Sequence, residues 1–210
     1  MNKRQQGMAE TRRAIIEAAG AQFAAYGYEG ASFARVAEAM GRPKSAIGYH
    51  QFASKAALAA AVVETQQERW RAIEAGLDRP HGLERLAAFL LATSLDARSC
   101  PIAAGATRLL HERAQVDADL PENFDWHGMI AAELNAAAQQ AGRPEVPPYA
   151  PELVLGATFG VFETADDVDD AAFAARLASL WSPLFASFGL PDAESAVQRV
   201  IDEPHAALVR

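Results

Sequence analysis

The sequence predicts an all-α protein, on three observations. Ala, Leu, Glu, Arg and Gln recur throughout, and all are strong helix formers. Apolar residues return at spacings of three and four rather than two. Gly, Pro and acidic punctuation falls between these periodic segments. No alternating strand pattern and no fixed-length repeat is present.

The first helix is expected from about Thr11 to Tyr26, where Ile16, Ala19, Phe23 and Tyr26 form one stripe. Gly27 and Gly30 in "GYEGAS" stop it, and Ser32 is placed to cap "FARVAEAM", which turns Phe33, Val36, Ala37 and Met40 towards a core and ends at Gly41. Pro43 suits the start of a short third helix, "KSAIGYHQF", because its missing N–H is an orphan there in any case. Ser54 can cap a long fourth helix, "KAALAAAVVETQQERWRAIEAG". Three helices in about 45 residues, with a Gly-containing turn between the second and third, are the pattern of a helix-turn-helix.

Further helical segments follow in "LERLAAFLLATSL", "PIAAGATRLLHERA", "NFDWHGMIAAELNAAAQQAG", "PELVLGATFGVFETA" and "AAFAARLASLWSPLFASFG". "GRPEVPPYAP" reads as an ordered loop between two of them. Gly156 and Gly160, four apart, allow another helix to approach. Phe173, Leu177, Leu180, Leu184 and Phe188 form an apolar stripe, with a kink expected at Pro183. These two helices can pair with their copies across a two-fold axis as a four-helix bundle, or simply face their own core.

Charge divides the chain. Residues 1–55 hold eight Lys/Arg against four Asp/Glu, a net of +4; with −8 overall, the remainder carries −12. A basic head on an acidic body suits a head that meets a polyanion. The single cysteine, Cys100, excludes an intrachain disulfide and fits a reducing cytoplasm. No signal-peptide pattern opens the chain, and no apolar run approaches the roughly 18 residues of a membrane span.

The stretch "GRPKSAIGYHQFASK" is explained if one face packs on the head and the other meets DNA. In a helix-turn-helix the second helix enters the major groove with its N-terminal half towards the bases. Arg42, Pro43 and Lys44 stand at that N-terminus, where the helix dipole also favours phosphate. Ser45, Ala46 and Gly48 are small enough to enter the groove. Tyr49 and His50 have the reach for phosphate or base edges, Phe52 returns to the core, and Lys55 can reach the flanking backbone.

From Thr11 to Leu58 these residues resemble the DNA-binding domain of the TetR family of bacterial repressors. The counterparts are Ala19, Phe23, Gly27, Tyr28, Ser32, Val36, Ala37 and Gly41, then "KSAIGYHQFASKAAL". The chain departs from the family pattern by one extra residue, most simply Gly48. It also has Gln51 in place of the usual His, Pro43 in place of a Ser/Thr cap, and Ser45 in place of Gly. The resemblance implies a head at residues 1–56, including an N-terminal arm, and a helical ligand-binding and dimerisation domain at 57–210.

Most of residues 95–190 is similar, by scattered identities, to the γ-butyrolactone receptor group of that family. That resemblance implies a homodimeric repressor of secondary-metabolite genes, bound to double-stranded operator DNA and released by a small lipophilic lactone-like effector. It places Trp126, Gln66 and Thr158 on the ligand. Phe159 and Phe162 lie on the helix expected to line both the cavity and the dimer interface. Trp126, Phe159 and Phe162 are equally read as core aromatics, and Gln66, within "ETQQER", as part of a solvated face. A TetR-type repressor of an efflux or catabolic gene answering diverse lipophiles is the alternative function.

An enzyme is excluded by the lack of G-x-S-x-G and H-E-x-x-H. A helical protein-interaction module would lack the steep salt dependence of DNA binding. No cofactor motif is present. His111, Glu112 and His127 lack metal-ligand spacing, and "ETADDVDD" lacks the Gly and closing Glu of a calcium loop.

Overall fold

The computed structural model describes residues 3–43, 51–113, 116, 119–121, 124–165 and 168–204. Among these there are nine helices and no strand: α1 (Lys3–Gly30), α2 (Phe33–Ala39), α3 (Lys55–Gly76), α4 (Leu83–Ser99), α5 (Pro101–His111), α6 (Trp126–Gln140), α7 (Ala150–Glu163), α8 (Asp170–Ser187) and α9 (Ala193–Ile201). They form two compact units, residues 1–70 with 96–123 and residues 71–95 with 124–210. The chain crosses between the units three times: within α3, within α4 and ahead of Phe124. The boundary expected at residue 56 falls inside the first unit, because α5 completes the core of the head.

In the first unit, α1 starts two turns earlier than expected. Thr11 is no cap: its hydroxyl donates to Gly7 O at 2.8 Å, inside a continuing helix of polar helix formers. Gly27 supplies the expected break, with φ 66° and ψ −177°. Ser32 caps α2, its Oγ accepting from Arg35 N. α2 closes through a left-handed Gly41 (φ 62°), with Gly41 N donating to Glu38 O and Arg42 N to Ala37 O, the paired bonds of a Schellman turn. Ser54 caps α3, accepting from Ala57 N at 3.0 Å.

The head core gathers Ile15, Ala19 and Phe23 of α1, Val36 and Ala37 of α2, Phe52, and Leu58 and Val62 of α3. Ile102, Ala106 and Leu109 of α5 fill its remaining side. α1 and α5 cross at Gly20 and Gly105, where their backbones nearly touch. A Cβ added at Gly105 would lie 2.8 Å from Gly20 Cα, and one at Gly20 would lie 2.6 Å from Pro101 O.

In the second unit, Asp125 and Asp169 cap α6 and α8, accepting from Gly128 N and Ala172 N at 2.8 Å each. "GRPEVPPYAP" is a loop between α6 and α7, pinned by Val146 N donating to Asn135 Oδ1. The buried face of α8 is rotated from the expected stripe. Phe173, Ala174, Leu177, Trp181 and Phe185 are buried, whereas Leu180, Leu184 and Phe188 are only half-buried. α8 also runs through Pro183 as one helix, with the proline on its exposed side. α9 was not among the expected segments; Ala193, Ala196, Val197 and Val200 pack it onto α8.

One buried carboxylate, in the middle of α6, ties the end of α3 to the start of α4. Glu133 of α6 accepts from Gly82 N at 2.8 Å, pairs with His81 Nδ1 at 2.8 Å and lies 3.3 Å from Arg85 Nε. Arg85 in turn donates to the carbonyls of Leu77, Arg79 and Glu74 at the end of α3. A buried charge placed this way is tolerated because every side of it meets a donor.

Candidate functional site

The head holds its expected DNA-facing segment at both ends. Arg42 and Pro43 are exposed directly after the Gly41 turn. Lys44, Ser45, Ala46, Tyr49 and His50, with the extra Gly48, lie outside the described residues. On the far side, Arg12 of α1 donates to Gln51 O at 2.9 Å and stacks its guanidinium 4.2 Å above the ring of the buried Phe52. This staple is absent from the sequence reading, because Arg12 lies 39 positions away in a run of exposed polar residues.

Lys55 differs from expectation. Its ammonium donates to Tyr28 O at 3.0 Å and sits 4.3 Å from the centre of the Tyr28 ring, which stacks in turn on Phe23. The left-handed break at Gly27 leaves a carbonyl end that needs a donor, and a half-buried lysine supplies it. Lys55 therefore ties the start of α3 to Tyr28. A second pair missed from sequence is Arg35 over Tyr26, 4.4 Å apart, with both side chains exposed on the head.

α5 grips the same break. Arg108 donates to Ala24 O at 2.7 Å and to Glu112 Oε1 at 2.8 Å, while Glu112 Oε2 accepts from Tyr28 N at 3.3 Å. Desolvation pushes the Glu112 carboxyl up. The hydrogen bonds from Arg108 and Tyr28 N, with the charges of Arg108 and His111, outweigh it and leave the group below its ordinary value. A carboxylate lowered in the folded state adds stability above its unfolded pKa and loses it as pH falls through the folded one. Glu112→Gln is therefore expected to lower the melting temperature at pH 7 and to lose that deficit in acid below the folded pKa. Melts of both proteins across this window check it.

The expected effector residues divide between the units. Gln66, in the first, is completely buried and not part of a solvated face. Its Nε2 donates to Asp96 Oδ2 at 2.9 Å, and its Oε1 has no hydrogen-bond partner among the described residues. In the second unit Trp126 opens α6 half-buried, packed against Phe89 and Phe124 with ring centres 5.3 and 5.1 Å away. Phe89 and Phe124 stack at 5.6 Å, completing a three-ring corner. Phe159 and Phe162 of α7 are half-buried, 6.1 Å apart.

Thr158 is differently employed. Its hydroxyl donates to Val154 O at 2.7 Å and accepts from the indole of Trp181 at 2.9 Å, both within the core. That indole N–H is fully buried, and Thr158 is the partner that makes its burial tolerable.

A pocket of about 290 Å³ opens elsewhere in the second unit, between the start of α4, the end of α6 and α9, with Gln140, Leu190 and Arg199 on its wall. It contains none of the expected effector residues. On its wall Arg199 pairs with Glu84 and His81 with Glu133. Among the described residues no cluster suits a metal ion, and no single helix is long and apolar enough to cross a membrane.

Comparison with known proteins agrees with this geometry. A family model described as bacterial regulatory proteins, tetR family, matches residues 15–62, the span from the first buried isoleucine to the middle of α3. A solved structure concerning the molecular basis for control of antibiotic production by bacterial hormones is 34% identical. The match covers 85% of this chain and 97% of that one, with a TM-score of 0.68. The chain belongs to the tetR family.

It is accordingly a DNA-binding regulator and not an enzyme. Two further structures share its fold. CprB from Streptomyces coelicolor, solved with its biological operator sequence, is 22% identical over 93% of this chain and 98% of that one, with a TM-score of 0.72. A γ-butyrolactone receptor described as ArpA-like is 22% identical over 94% and 100%, with a TM-score of 0.73. No curated protein sequence matches this tetR-family chain.

Proposed function

We propose that this tetR-family protein is a homodimeric cytoplasmic repressor of secondary-metabolite genes, held on a pseudo-palindromic operator and released by a small γ-butyrolactone, butenolide or furan effector. Residues 1–56 supply the DNA-binding head and 57–210 the body that binds effector and dimerises. The observation that carries the effector reading is the aromatic corner at the start of α6, where Trp126 is left half-buried beside Phe89 and Phe124. An apolar wall with a few polar anchors suits a small lipophilic ring. We also assign Phe159 and Phe162 to the effector as apolar contacts and Gln66, in the first unit, as a polar anchor. The 34% identical structure, concerned with hormonal control of antibiotic production, supports the same signal class.

Dimerisation is supported by the outer row of α7. Tyr149 and Leu153 are 61% and 45% exposed, and a Cβ at Gly156 or Gly160 would meet nothing within 4 Å. The small residues that permit close helix approach are therefore unused among the described residues and open to a second copy. A pseudo-palindromic operator presents two successive major grooves about 34–36 Å apart, one for each head of a dimer. Coupling of about 1–3 kcal/mol per effector site is typical, and complete release of a strongly populated DNA-bound state needs about 5.5 kcal/mol, within reach of two sites acting together.

A gel shift with the DNA flanking the protein's own gene tests the proposal. A retarded band should form, weaken steeply between about 50 and 200 mM salt, and dissolve with a lipophilic extract of a lactone-producing strain. Release by many unrelated lipophiles but not by lactones would establish the efflux or catabolic alternative. A band that no small molecule disperses would remove the effector altogether.

A further inference from the structure

The buried amide of Gln66 is oriented by a charge pair that the sequence reading did not single out. Asp96, near the end of α4, accepts from Gln66 Nε2 at 2.9 Å through Oδ2, and Arg69, one turn beyond Gln66 on α3, closes on the same carboxylate through two nitrogens. Arg69 is about half exposed, so it shields the carboxylate from the solvent side, while Asp96 is mostly buried. Hydrogen bonding to Asp96 holds the Arg69 guanidinium above its ordinary value. Arg69 and Asp96 form a salt bridge, so Asp96 presents acceptor oxygens to both Arg69 and Gln66.

An ionised carboxylate only accepts hydrogen bonds. The Gln66 amide can satisfy it in one orientation alone, with NH₂ towards Asp96 and the carbonyl turned away. With Asn or Ser at position 96 either orientation would serve. The consequence is visible in the structure: Gln66 Oε1 is buried and has no hydrogen-bond partner among the described residues. A buried carbonyl that no protein donor meets carries a cost, and a ligand that donates to it gains what a ligand without a donor cannot.

We infer that Asp96 and Arg69 are positioning residues that set Gln66 as a hydrogen-bond acceptor, so that this repressor selects effectors carrying a hydroxyl or other donor over otherwise identical molecules without one. The inference rests on the effector reading above and adds a chemical requirement to it. Asp96 and Arg69 act through Gln66 and need not touch the ligand. The acceptor polarity of the anchor is written in the charge beside it.

Two measurements on the full-length dimer test it. In ¹H–¹⁵N spectra of the unliganded protein, the Gln66 side-chain amide, assigned by its loss in Gln66→Met, should be displaced from the free-glutamine position and return there in Asp96→Ala. In binding titrations, a γ-butyrolactone with a hydroxyl on its alkyl chain should bind about tenfold tighter than its methyl ether, and decanol should likewise exceed decyl methyl ether. Asp96→Ala should cut both preferences to less than about twofold. Arg69→Met, which changes a half-exposed residue and leaves the core intact, should reduce them partway. If neither lactone binds while decanol still outbinds its ether, the lactone reading fails and the assignment of Gln66 stands. Equal binding of hydroxyl and ether, no binding by either pair, or a free Gln66 amide in the wild type overturns the inference.

Discussion

Alanine at Arg42, Lys44 and Tyr49 together is expected to weaken operator binding by two to three orders of magnitude with no change in thermal stability. Arg42 is exposed just beyond the Gly41 turn, so its removal costs no packing. Lys44 and Tyr49 follow it in the segment between the turn and the Arg12–Phe52 staple. Phosphate and base contacts of this kind are worth about 1 kcal/mol or more each, and each 1.4 kcal/mol is tenfold in affinity. Loss of two cations should also flatten the dependence of log K on log salt by about two. Titrations at several salt concentrations, beside a melt, measure both. Unchanged affinity in a folded triple variant would place the DNA interface elsewhere.

The second large effect is on stability. Gly105→Val should lower the melting temperature by roughly 6–12 °C, from a loss of about 3 kcal/mol at 2–4 °C per kcal/mol in a chain of this size. The added Cβ would meet Gly20 Cα and C of α1 at 2.8 and 2.9 Å, and these are backbone atoms that cannot rotate away. Relief requires α1 and α5 to part, which opens the core around Ala19, Phe23, Ala106 and Leu109. Gly7→Ala is the control. It lies on an exposed stretch of α1 with nothing within 4 Å of the added atom, so it should raise stability by about 0.5–1 kcal/mol. If both substitutions moved the melt equally, the close helix crossing would not be what holds α1.

Local rules made most elements legible. Ser32, Ser54 and the Gly41 stop were legible because each bonds to a backbone group within five residues. The Thr11–Leu58 pattern was legible for the same reason, since a small helical head is built largely from short-range spacing. The failures share a cause. Trp181 lies outside the apolar stripe expected from sequence, yet it is fully buried and its indole donates to Thr158, 23 positions away. Gln66 sits among five polar neighbours in sequence and is buried in the structure, because Asp96, 30 positions on, comes to meet it. Lys55 looks like any basic residue beside a DNA-reading segment until Tyr28 is placed under it.

By itself the sequence determined that the protein is helical, that its basic N-terminal portion is a three-helix DNA-binding head of the tetR type, and that an acidic helical body follows. Periodicity, caps and charge are properties of neighbouring residues and survive reading in one dimension. Only the tertiary structure decided which polar groups are buried and what they face: Thr158 on Trp181, Lys55 on Tyr28, and Gln66 turned by Asp96, its carbonyl without a hydrogen-bond partner among the described residues. The reason is that burial and hydrogen-bond pairing are settled by residues brought together from far apart along the chain, and a polar side chain carries no local mark of the partner it will meet.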